Sequence, residues 1–404
     1  MRPADPGVCL LQGHIQTYAW GRRGQRSRVA RYAAAQGIIP EQQMSDALPY
    51  AELWLGTHPS GEASVITEGR GRIPLSSYLP AGALPFLLKV LSVDRALSIQ
   101  AHPDNELAKI LNARHPHLYR DANHKPEMCV CLGPEPFEAL FGFRPVEQIV
   151  DALKSIPEFR LACGSFAAEF CESPAAPDAL RKLFESFMHN NLESLEQAKR
   201  LRKRLESADK LDADSALALR LSNQYPNDAG VFAAFLLNHV RLEPGEAIFV
   251  GPNEPHAYLQ GDCVEIMATS DNVVRAGLTE KHKDIETLCS MLVYASKDPV
   301  EVIRRDAQNR FPVPVDEFQL ECIDMEPKRE TQTMVLEPSI SYSILLVVDG
   351  EVTVFRNGTS HNYILSSGMA CLVAPGIQIH LQSGGSGCVV FRASVPAARD
   401  ANGL

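Results

Sequence analysis

Two residues of the segment LSIQAHPDNELAKIL, Gln100 and His102, are of types that bind metal ions, and their spacing allows them to share one. Their context is β-like, and alternate residues of a strand point to the same face. Glu127 in DANHKPEM and His256 in NEPHAYLQ add a carboxylate and a second imidazole. Two histidines, a carboxylate and an amide oxygen suit zinc or a similar divalent ion, with one position left for water or substrate.

Three further polar residues near these motifs are candidates for acid–base chemistry. Lys125 lies two positions before Glu127 and would feel the charge of a metal ion bound there. Glu265 and Asp271 follow His256 and supply carboxylates, which either transfer protons or only orient a metal-bound histidine. The sequence leaves open which of the three groups is the base.

An apolar strand is predicted at residues 85–93, PFLLKVLSV, and it is interrupted by Lys89. A lysine is seldom fully buried without a partner, so we expect Lys89 to point into a polar cavity beside Gln100. Trp20, in the extended segment YAWG, either packs in the core or faces a substrate. His58 precedes a proline, which favours extended backbone but not metal ligation, and we interpret it as structural.

The hydrophobic periodicity becomes helical between Pro145 and about Asn223. Apolar residues recur there at helical spacing, and the segment QAKRLRKRLESADKL has the charged face of a helix exposed to solvent. The candidate metal ligands lie on both sides of this block. The sequence therefore indicates a helical insertion into a β domain.

The end of the chain has the pattern of a second β unit. SILLVVDGEVTVF is typical of a β-hairpin that turns at Asp349 and Gly350. The order of turn and strand residues in SSGMACLVAPGIQIHL is similar to that in LEPGEAIFVGPNEPHAYL, and this indicates a weak internal repeat. The later segment lacks a histidine at the matching position. Strand pairs of this kind resemble cupin jelly rolls, which enclose a ligand cavity.

We therefore predict a mainly β fold with an α-helical insertion, made of two cupin-like jelly-roll β-barrels and a helical domain. The predicted domains are a discontinuous catalytic barrel at 1–144 and 229–295, a helical insertion at 145–228, and a C-terminal barrel without a metal site at 296–404.

The composition narrows the classes of partner. The chain has 404 residues and 45% hydrophobic content, enough for two or three globular domains. Its formal net charge of −10 disfavours nucleic acid and anionic membranes, so an anionic small substrate would need a local basic pocket. Ten scattered cysteines without a repeated CxxC motif favour reduced thiols. No apolar run reaches the roughly 18 residues that span a bilayer, and no signal-peptide core is evident, so we predict a cytoplasmic location.

Longer motifs occur in order between residues 18 and 282: YAELWLGTHPSG, FLLKVLSVDRALSIQAHP, DANHKPEM, FEALFGFRP and LEPGEAIFVGPNEPHAYLQGDCVEIMATSDNVVRAGLTEKH. Together they closely resemble type I mannose-6-phosphate isomerase (phosphomannose isomerase), a family of the cupin superfamily. The C-terminal third of the chain resembles the family only loosely.

The resemblance implies interconversion of D-mannose 6-phosphate and D-fructose 6-phosphate through an enediol, which feeds mannose and GDP-mannose metabolism. It also implies one Zn²⁺ per chain, since Gln100, His102, Glu127 and His256 match the family's zinc ligands. In the resemblance the arginine at position 275 is catalytic, and the lysine at position 89 belongs to the active site. The expected catalytic residues are Arg275, Lys125, Glu265 and Asp271, and the expected substrate-binding residues are Ser98, Lys89, Lys281 and Trp20. We expect a small sugar phosphate as the partner and a monomeric protein.

This chemistry moves a proton between C1 and C2, so it needs a base and a group that stabilises a developing oxyanion. Arg275 could hold phosphate or the enediolate through two parallel hydrogen bonds, whereas Glu280 could partly neutralise Lys281. Two alternatives are a cupin-type oxygenase and a metal-stabilised sugar-binding cupin without catalysis. Oxygenase sites usually need more histidines, and a storage barrel has no need of Lys125 or Arg275.

Overall fold

The computed structural model describes residues 7–67, 71–297, 299–359 and 361–397, and β-strands form the larger share of its regular structure. The strands in the first part of the chain are β1 (Val8–Gln12), β2 (His14–Gln16), β3 (Arg22–Arg23), β4 (Pro49–Tyr50), β5 (Glu52–Leu55), β6 (Ser64–Thr67), β7 (Gly71–Pro74), β8 (Phe86–Val93), β9 (Ile99–Ala101), β10 (Glu127–Cys131) and β11 (Phe137–Phe143). The strands in the second part are β12 (Leu237–Leu242), β13 (Ala247–Val250), β14 (His256–Ala268), β15 (Val274–Gly277), β16 (Arg310–Phe311), β17 (Gln319–Met325), β18 (Gln332–Leu336), β19 (Ser343–Phe355), β20 (Asn362–Ser366), β21 (Ala370–Val373) and β22 (Ile379–Ser394).

Most of the helical residues lie between β11 and β12. The α-helices are α1 (Arg28–Ala35), α2 (Leu75–Tyr78), α3 (Asn105–Arg114), α4 (Val146–Ser155), α5 (Pro157–Ala162), α6 (Phe166–Glu172), α7 (Ala179–His189), α8 (Asn191–Glu206), α9 (Ala213–Gln224), α10 (Ala233–Leu236) and α11 (Ile285–Met291). Short 3-10 helices occupy Gly24–Arg26, Glu41–Gln43 and Ala229–Phe232.

The segment from α4 to α10 is helical because its apolar residues recur on one face and its helices have suitable first turns. The Asp212 side chain accepts a hydrogen bond from the Ser215 amide at the start of α9, and Pro157 occupies the first turn of α5. The buried faces share one core with Phe143 of β11 and Val274 of β15. The helical segment therefore packs on the sheet that carries the candidate metal ligands.

Strand β14 is central to that sheet. The strand order is β12-β11-β14-β8-β5-β2, and β9 and β10 also pair with β14. The antiparallel register places Glu265 opposite Lys89 of β8, and His256 opposite Gln100 of β9. Glu127 is the first residue of β10. Paired residues of neighbouring strands lie side by side, so the register gathers residues from distant parts of the chain on one surface.

The other large sheet combines the last strands of the chain with β1, β6 and β7. Its order is β16-β17-β22-β19-β21-β1-β6-β7, with β18 and β20 attached to β22 and β19. Leu10 of β1 pairs with Cys371 of β21 on one side and with Ile66 of β6 on the other. Strand pairing thus crosses the boundary expected at residue 296, and the division into three domains stays a prediction.

The predicted mainly β fold with a helical insertion is confirmed, but the two sheets are not closed barrels. Among the described strands, β12 and β2 end one order, and β16 and β7 end the other. Each of these strands has a hydrogen-bonded neighbour on one side only, so the sheets stay open. The ten cysteines are free thiols, as predicted. Within the described ranges no helix combines the length and apolarity needed to cross a bilayer.

Candidate metal centre and active site

Glu127 lies between the two histidines that the sequence associates with it. Its Oε1 is 3.4 Å from His102 Nε2, and its Oε2 is 3.5 Å from His256 Nε2. Gln100 Nε2 lies 3.4 Å from His256 Nε2, and a half-turn of the amide group would bring Gln100 Oε1 to the same place. We call Gln100, His102, Glu127 and His256 the metal cluster. The structure brings all four predicted ligands together.

The metal cluster fits a divalent cation. His102 Nδ1 lies 2.7 Å from the carbonyl of Asn272, and His256 Nδ1 lies 3.0 Å from that of Glu254. A carbonyl only accepts, so both rings carry their proton on Nδ1 and turn the Nε2 lone pair towards Glu127. His102 Nε2 and Glu127 Oε2 are buried without a hydrogen-bond partner in the described part of the chain. Buried polar atoms are rarely left so, and a bound cation would satisfy both.

The protonation states in the metal cluster also suit a cation. Burial lowers the pKa of His102 to about 4, which keeps its ring neutral near pH 7. Burial alone would raise the pKa of Glu127, but the Lys125 ammonium group holds it well below its usual range. Lys125 Nζ lies 2.9 Å from Glu127 Oε1. The metal cluster thus offers a neutral His102 imidazole and an ionised Glu127 carboxylate, with the Lys125 amine beside them.

A cavity of about 640 Å³ opens above the metal cluster. Its lining includes the remaining predicted residues, namely Trp20, Lys89, Ser98, Lys125, Glu265, Asp271, Arg275 and Lys281. Gln100 and Glu127 also reach its wall, whereas His102 and His256 are 0% and 1% exposed and lie beneath it. Ser98 Oγ donates to Gln100 Oε1 at 3.1 Å. The structure therefore gathers every predicted site residue in one place.

Lys89 points into this cavity, as expected, but carboxylates already surround its ammonium group. Its Nζ lies 2.9 Å from Glu265 Oε2 and 3.6 Å from Glu52 Oε2. Burial opposes the charged form of Lys89, but Glu265 and Glu52 raise its pKa above the usual value. Burial also raises the pKa of Glu265, and the carboxylates of Glu127 and Glu52 add to this effect. Lys89 therefore offsets part of the negative charge that Glu265 and Glu52 bring to the cavity.

Arg275 and Lys281 are the cavity cations best placed for a substrate anion. Neither forms a salt bridge within 4.0 Å with a carboxylate among the described residues, and the partial neutralisation of Lys281 by Glu280 stays a prediction. Burial lowers the pKa of Arg275. Burial, and secondarily Arg275, lowers the pKa of Lys281, whose Nζ lies 5.8 Å from the Tyr18 ring centroid. Two partly buried cations thus face the cavity without a salt bridge to any described carboxylate.

Comparison with known proteins agrees with this geometry. Residues 8–146 match the family model "Phosphomannose isomerase type I, catalytic domain", and residues 163–237 match "Phosphomannose isomerase type I, helical insertion domain". The human mannose-6-phosphate isomerase is 42% identical over 382 residues, which cover 86% of this chain and 89% of the human protein. The chain belongs to the type I phosphomannose isomerase family. Mannose-6-phosphate isomerase 1 of Arabidopsis thaliana is 39% identical over 415 residues, covering 95% of this chain and 93% of the plant protein.

Solved structures of this family share the fold over nearly the whole chain. A zinc-bound mannose 6-phosphate isomerase superimposes with a TM-score of 0.80 at 29% identity, covering 97% of this chain and 100% of that one. A mutant phosphomannose isomerase from Salmonella typhimurium gives a TM-score of 0.81 at 29% identity, with the same coverage.

Sequence analysis missed several residues that the fold places around the cavity. Glu52, Tyr258, Arg95 and Arg120 line it, and so does His58, which we had interpreted as structural. Glu52 lies inside one of the motifs that carry the resemblance, and alternation along the strand puts it on the same face as Trp54, which also lines the cavity. Tyr258 lies in β14, whereas Arg95, Arg120 and His58 lie in loops, so their positions at the cavity depend on the tertiary fold.

Proposed function

We propose that the protein interconverts mannose 6-phosphate and fructose 6-phosphate and that its metal cluster holds one Zn²⁺. The observation that carries this proposal is a buried metal cluster beside a cavity lined by Arg275 and Lys281, two cations that form no salt bridge with a carboxylate in the described ranges. The mannose-6-phosphate isomerases among the relatives and the zinc-bound structural neighbour support the same substrate and metal.

The metal cluster would hold the ion at the cavity floor through two imidazoles, a carboxylate and an amide oxygen. Zinc bound there would polarise the sugar's carbonyl and hydroxyl oxygens. From mannose 6-phosphate, the C2 proton is removed and the C1 oxygen gains a proton, which gives the enediol. A proton then returns to C1 and the C2 hydroxyl loses its proton, which gives the ketose.

We assign this proton transfer to Lys125. Its amine lies 2.9 Å from Glu127, and the residue lines the cavity while only 8% exposed, which places the amine beside the metal cluster in a site shielded from water. Glu265 is less suited, because its Oε2 already accepts a hydrogen bond from Lys89 at 2.9 Å. Asp271 is the next candidate, since its carboxylate stands at the cavity wall.

We assign phosphate binding to Arg275 and Lys281. A guanidinium can hold two phosphate oxygens through parallel hydrogen bonds, and a lysine adds a point charge. Both cations lack a carboxylate partner within the described ranges, so a dianionic substrate would supply the missing counter-charge. We also propose that the reaction feeds mannose and GDP-mannose metabolism, as the family resemblance implies.

The test is turnover by protein loaded with one zinc ion per chain. We expect fructose 6-phosphate to form from mannose 6-phosphate in a coupled assay, while glucose 6-phosphate, the C2 epimer, serves as the control substrate. Zinc-loaded protein that binds the sugar phosphate without turnover would favour the non-catalytic cupin. Oxygen uptake with iron-loaded protein would favour the oxygenase, although the metal cluster contains only two histidines.

A further inference from the structure

His58 is a buried histidine beside the cavity to which the proposed reaction gives no role. It is 3% exposed, and its ring packs edge-on against Trp54 with centroids 5.0 Å apart. Its Nε2 lies 3.3 Å from Asp271 Oδ1. This contact joins the turn after β5 to the segment after β14, so it is tertiary rather than local.

The backbone fixes which nitrogen of His58 carries the proton. The Ser60 amide donates to His58 Nδ1 at 3.1 Å, so Nδ1 must be the acceptor and the ring proton lies on Nε2. His102 and His256 show the opposite arrangement, because their Nδ1 atoms donate to carbonyls. The two candidate ligands therefore present a lone pair to the site, whereas His58 presents an N–H group.

The carboxylate that receives this N–H group stands in a segment shared with the metal cluster. The Asp271 amide donates to Asp121 Oδ2 at 2.8 Å, which fixes the backbone. The next residue, Asn272, supplies the carbonyl that orients His102. The Asp271 side chain remains 33% exposed at the cavity, and the hydrogen bond from His58 is the first cause that holds its pKa below the usual value. His58 thus holds one oxygen of Asp271 and leaves the other for the substrate.

We propose that His58 is a positioning residue, which fixes the orientation of the Asp271 carboxylate for hydrogen bonding to the hydroxyl groups of the substrate. This inference rests on the proposed isomerase function. It assigns no proton transfer to His58 itself, because the Ser60 amide occupies Nδ1.

Two conservative substitutions separate this role from a purely local one. His58→Gln can place an amide donor where Nε2 stands and so keeps the contact with Asp271. His58→Asn can place an acceptor where Nδ1 stands and so keeps only the contact with Ser60. We expect His58→Asn to lower kcat for mannose 6-phosphate by about 10- to 100-fold with KM changed less than about threefold, whereas His58→Gln stays within about threefold of the wild type. Equal activities of the two variants, or a more active asparagine variant, would overturn the proposal.

A double-mutant cycle tests whether the effect passes through Asp271. In an Asp271→Asn background, His58→Asn should lower kcat by less than about threefold, because the group that it positions is gone. A full additional loss would show that His58 acts elsewhere. His361→Asn, at an exposed histidine, is the matched control and should leave kcat unchanged.

A readout without turnover keeps the test independent of the proposed reaction and of the folding of the variants. Long-range ¹H–¹⁵N spectra of the wild-type protein report which ring nitrogen of each histidine is protonated, and the His58 signals are assigned by their loss in His58→Gln. We expect the proton on Nε2, and a proton on Nδ1 would overturn the inference. Failure of the isomerase function would appear differently, as wild-type protein without turnover but with the expected His58 tautomer.

Discussion

His102 and His256 each use one ring nitrogen for a backbone carbonyl and keep the other for the metal cluster. The carbonyls of Asn272 and Glu254 are the fixed partners, at 2.7 and 3.0 Å. Such outer partners set the ring orientation before any cation binds. The metal cluster should therefore keep its shape without metal, and loss of metal should affect activity much more than folding.

Removal of zinc tests this expectation. Exhaustive chelation should abolish isomerisation, while circular dichroism shows an unchanged fold, and added zinc should restore turnover. His256→Ala should lower zinc affinity by more than about 100-fold, because one of four ligands is lost. Activity that survives in verified metal-free protein would contradict the assignment.

Lys125→Met tests the proton transfer separately from metal binding. The substitution removes the amine at similar side-chain length, so zinc content should stay near normal while kcat falls by about two to four orders of magnitude. Hydrogen exchange at C2 of the substrate should fall in parallel. Near wild-type turnover would move the base to Asp271 or Glu265, and the same exchange measurement on variants of those two residues would decide between them.

Arg275→Ala tests the recognition of the phosphate. The value of kcat/KM for mannose 6-phosphate should fall, and the fall should correspond to a loss of about 2 to 5 kcal/mol in transition-state stabilisation. This is the loss expected when one partner of a buried charge pair is truncated. The loss should be far larger with mannose 6-phosphate than with mannose, and zinc should stay bound. Equal losses on both sugars would place Arg275 on the enediolate instead.

At the scale of elements, an ion pair joins the sheet that carries the site to the helical segment. Glu138 of β11 accepts a hydrogen bond from His239 Nε2 of β12 at 3.1 Å and forms a salt bridge with Arg220 of α9. The hydrogen bond from His239 is the first cause that lowers the pKa of Glu138 to about 2, with Arg220 contributing further. The salt bridge between Glu138 and Arg220 thus joins β11 to α9 at a position that is only partly shielded from water.

This lowered pKa predicts how stability depends on pH. A carboxylate with a depressed folded-state pKa stabilises the fold above its unfolded pKa of about 4.3, and this contribution is lost as pH falls towards the folded value. Urea unfolding should show wild type more stable than Glu138→Gln at pH 6, with the gap narrowing between about pH 4.5 and pH 3. A gap that stays constant over this range would show that the carboxylate charge contributes nothing.

The sequence predicts the secondary-structure elements better than it predicts which elements pack or pair with one another. The helical segment was found from its period, and Gln100 and His102 from their alternation on a strand. The contact of Lys89 with Glu265 depends on the register of β8 against β14, which no local pattern specifies. The contact of His58 with Asp271 is not predictable from a local pattern either, because the two residues lie far apart in the chain. The resemblance supplied the site residues, and the structure supplied their hydrogen bonds.

At the scale of the whole molecule, the N-terminal part of the chain depends on the C-terminal sheet. Tyr32 of α1 donates to the Val348 carbonyl at 2.6 Å, and Gln36 donates to that of Gly368 at 2.7 Å. His124, beside Lys125, contacts Glu317 at 2.5 Å. The strands after residue 296 therefore support the part of the chain that carries the site.

Truncation before residue 296 should accordingly unfold the remaining chain rather than release an active fragment. β1 would lose β21, and buried apolar residues of the core shared between the sheets would become exposed. Expression of residues 1–295 should give aggregated protein without turnover, and co-expression with residues 296–404 should partly restore both solubility and activity. A soluble, zinc-binding and active fragment would contradict this dependence.

The pairing of β1 with β21 also constrains how the protein is made. Leu11 leaves the ribosome long before its partner Ala370, and at about 5 to 20 residues per second the wait for that partner lasts roughly 20 to 70 s. During synthesis β1 has β6 on one side and an open edge on the other, which is the kind of strand that pairs with other chains. We therefore expect misassembly of the protein to begin on polysomes, where several growing chains lie close together. Slower translation of the C-terminal third should increase this misassembly.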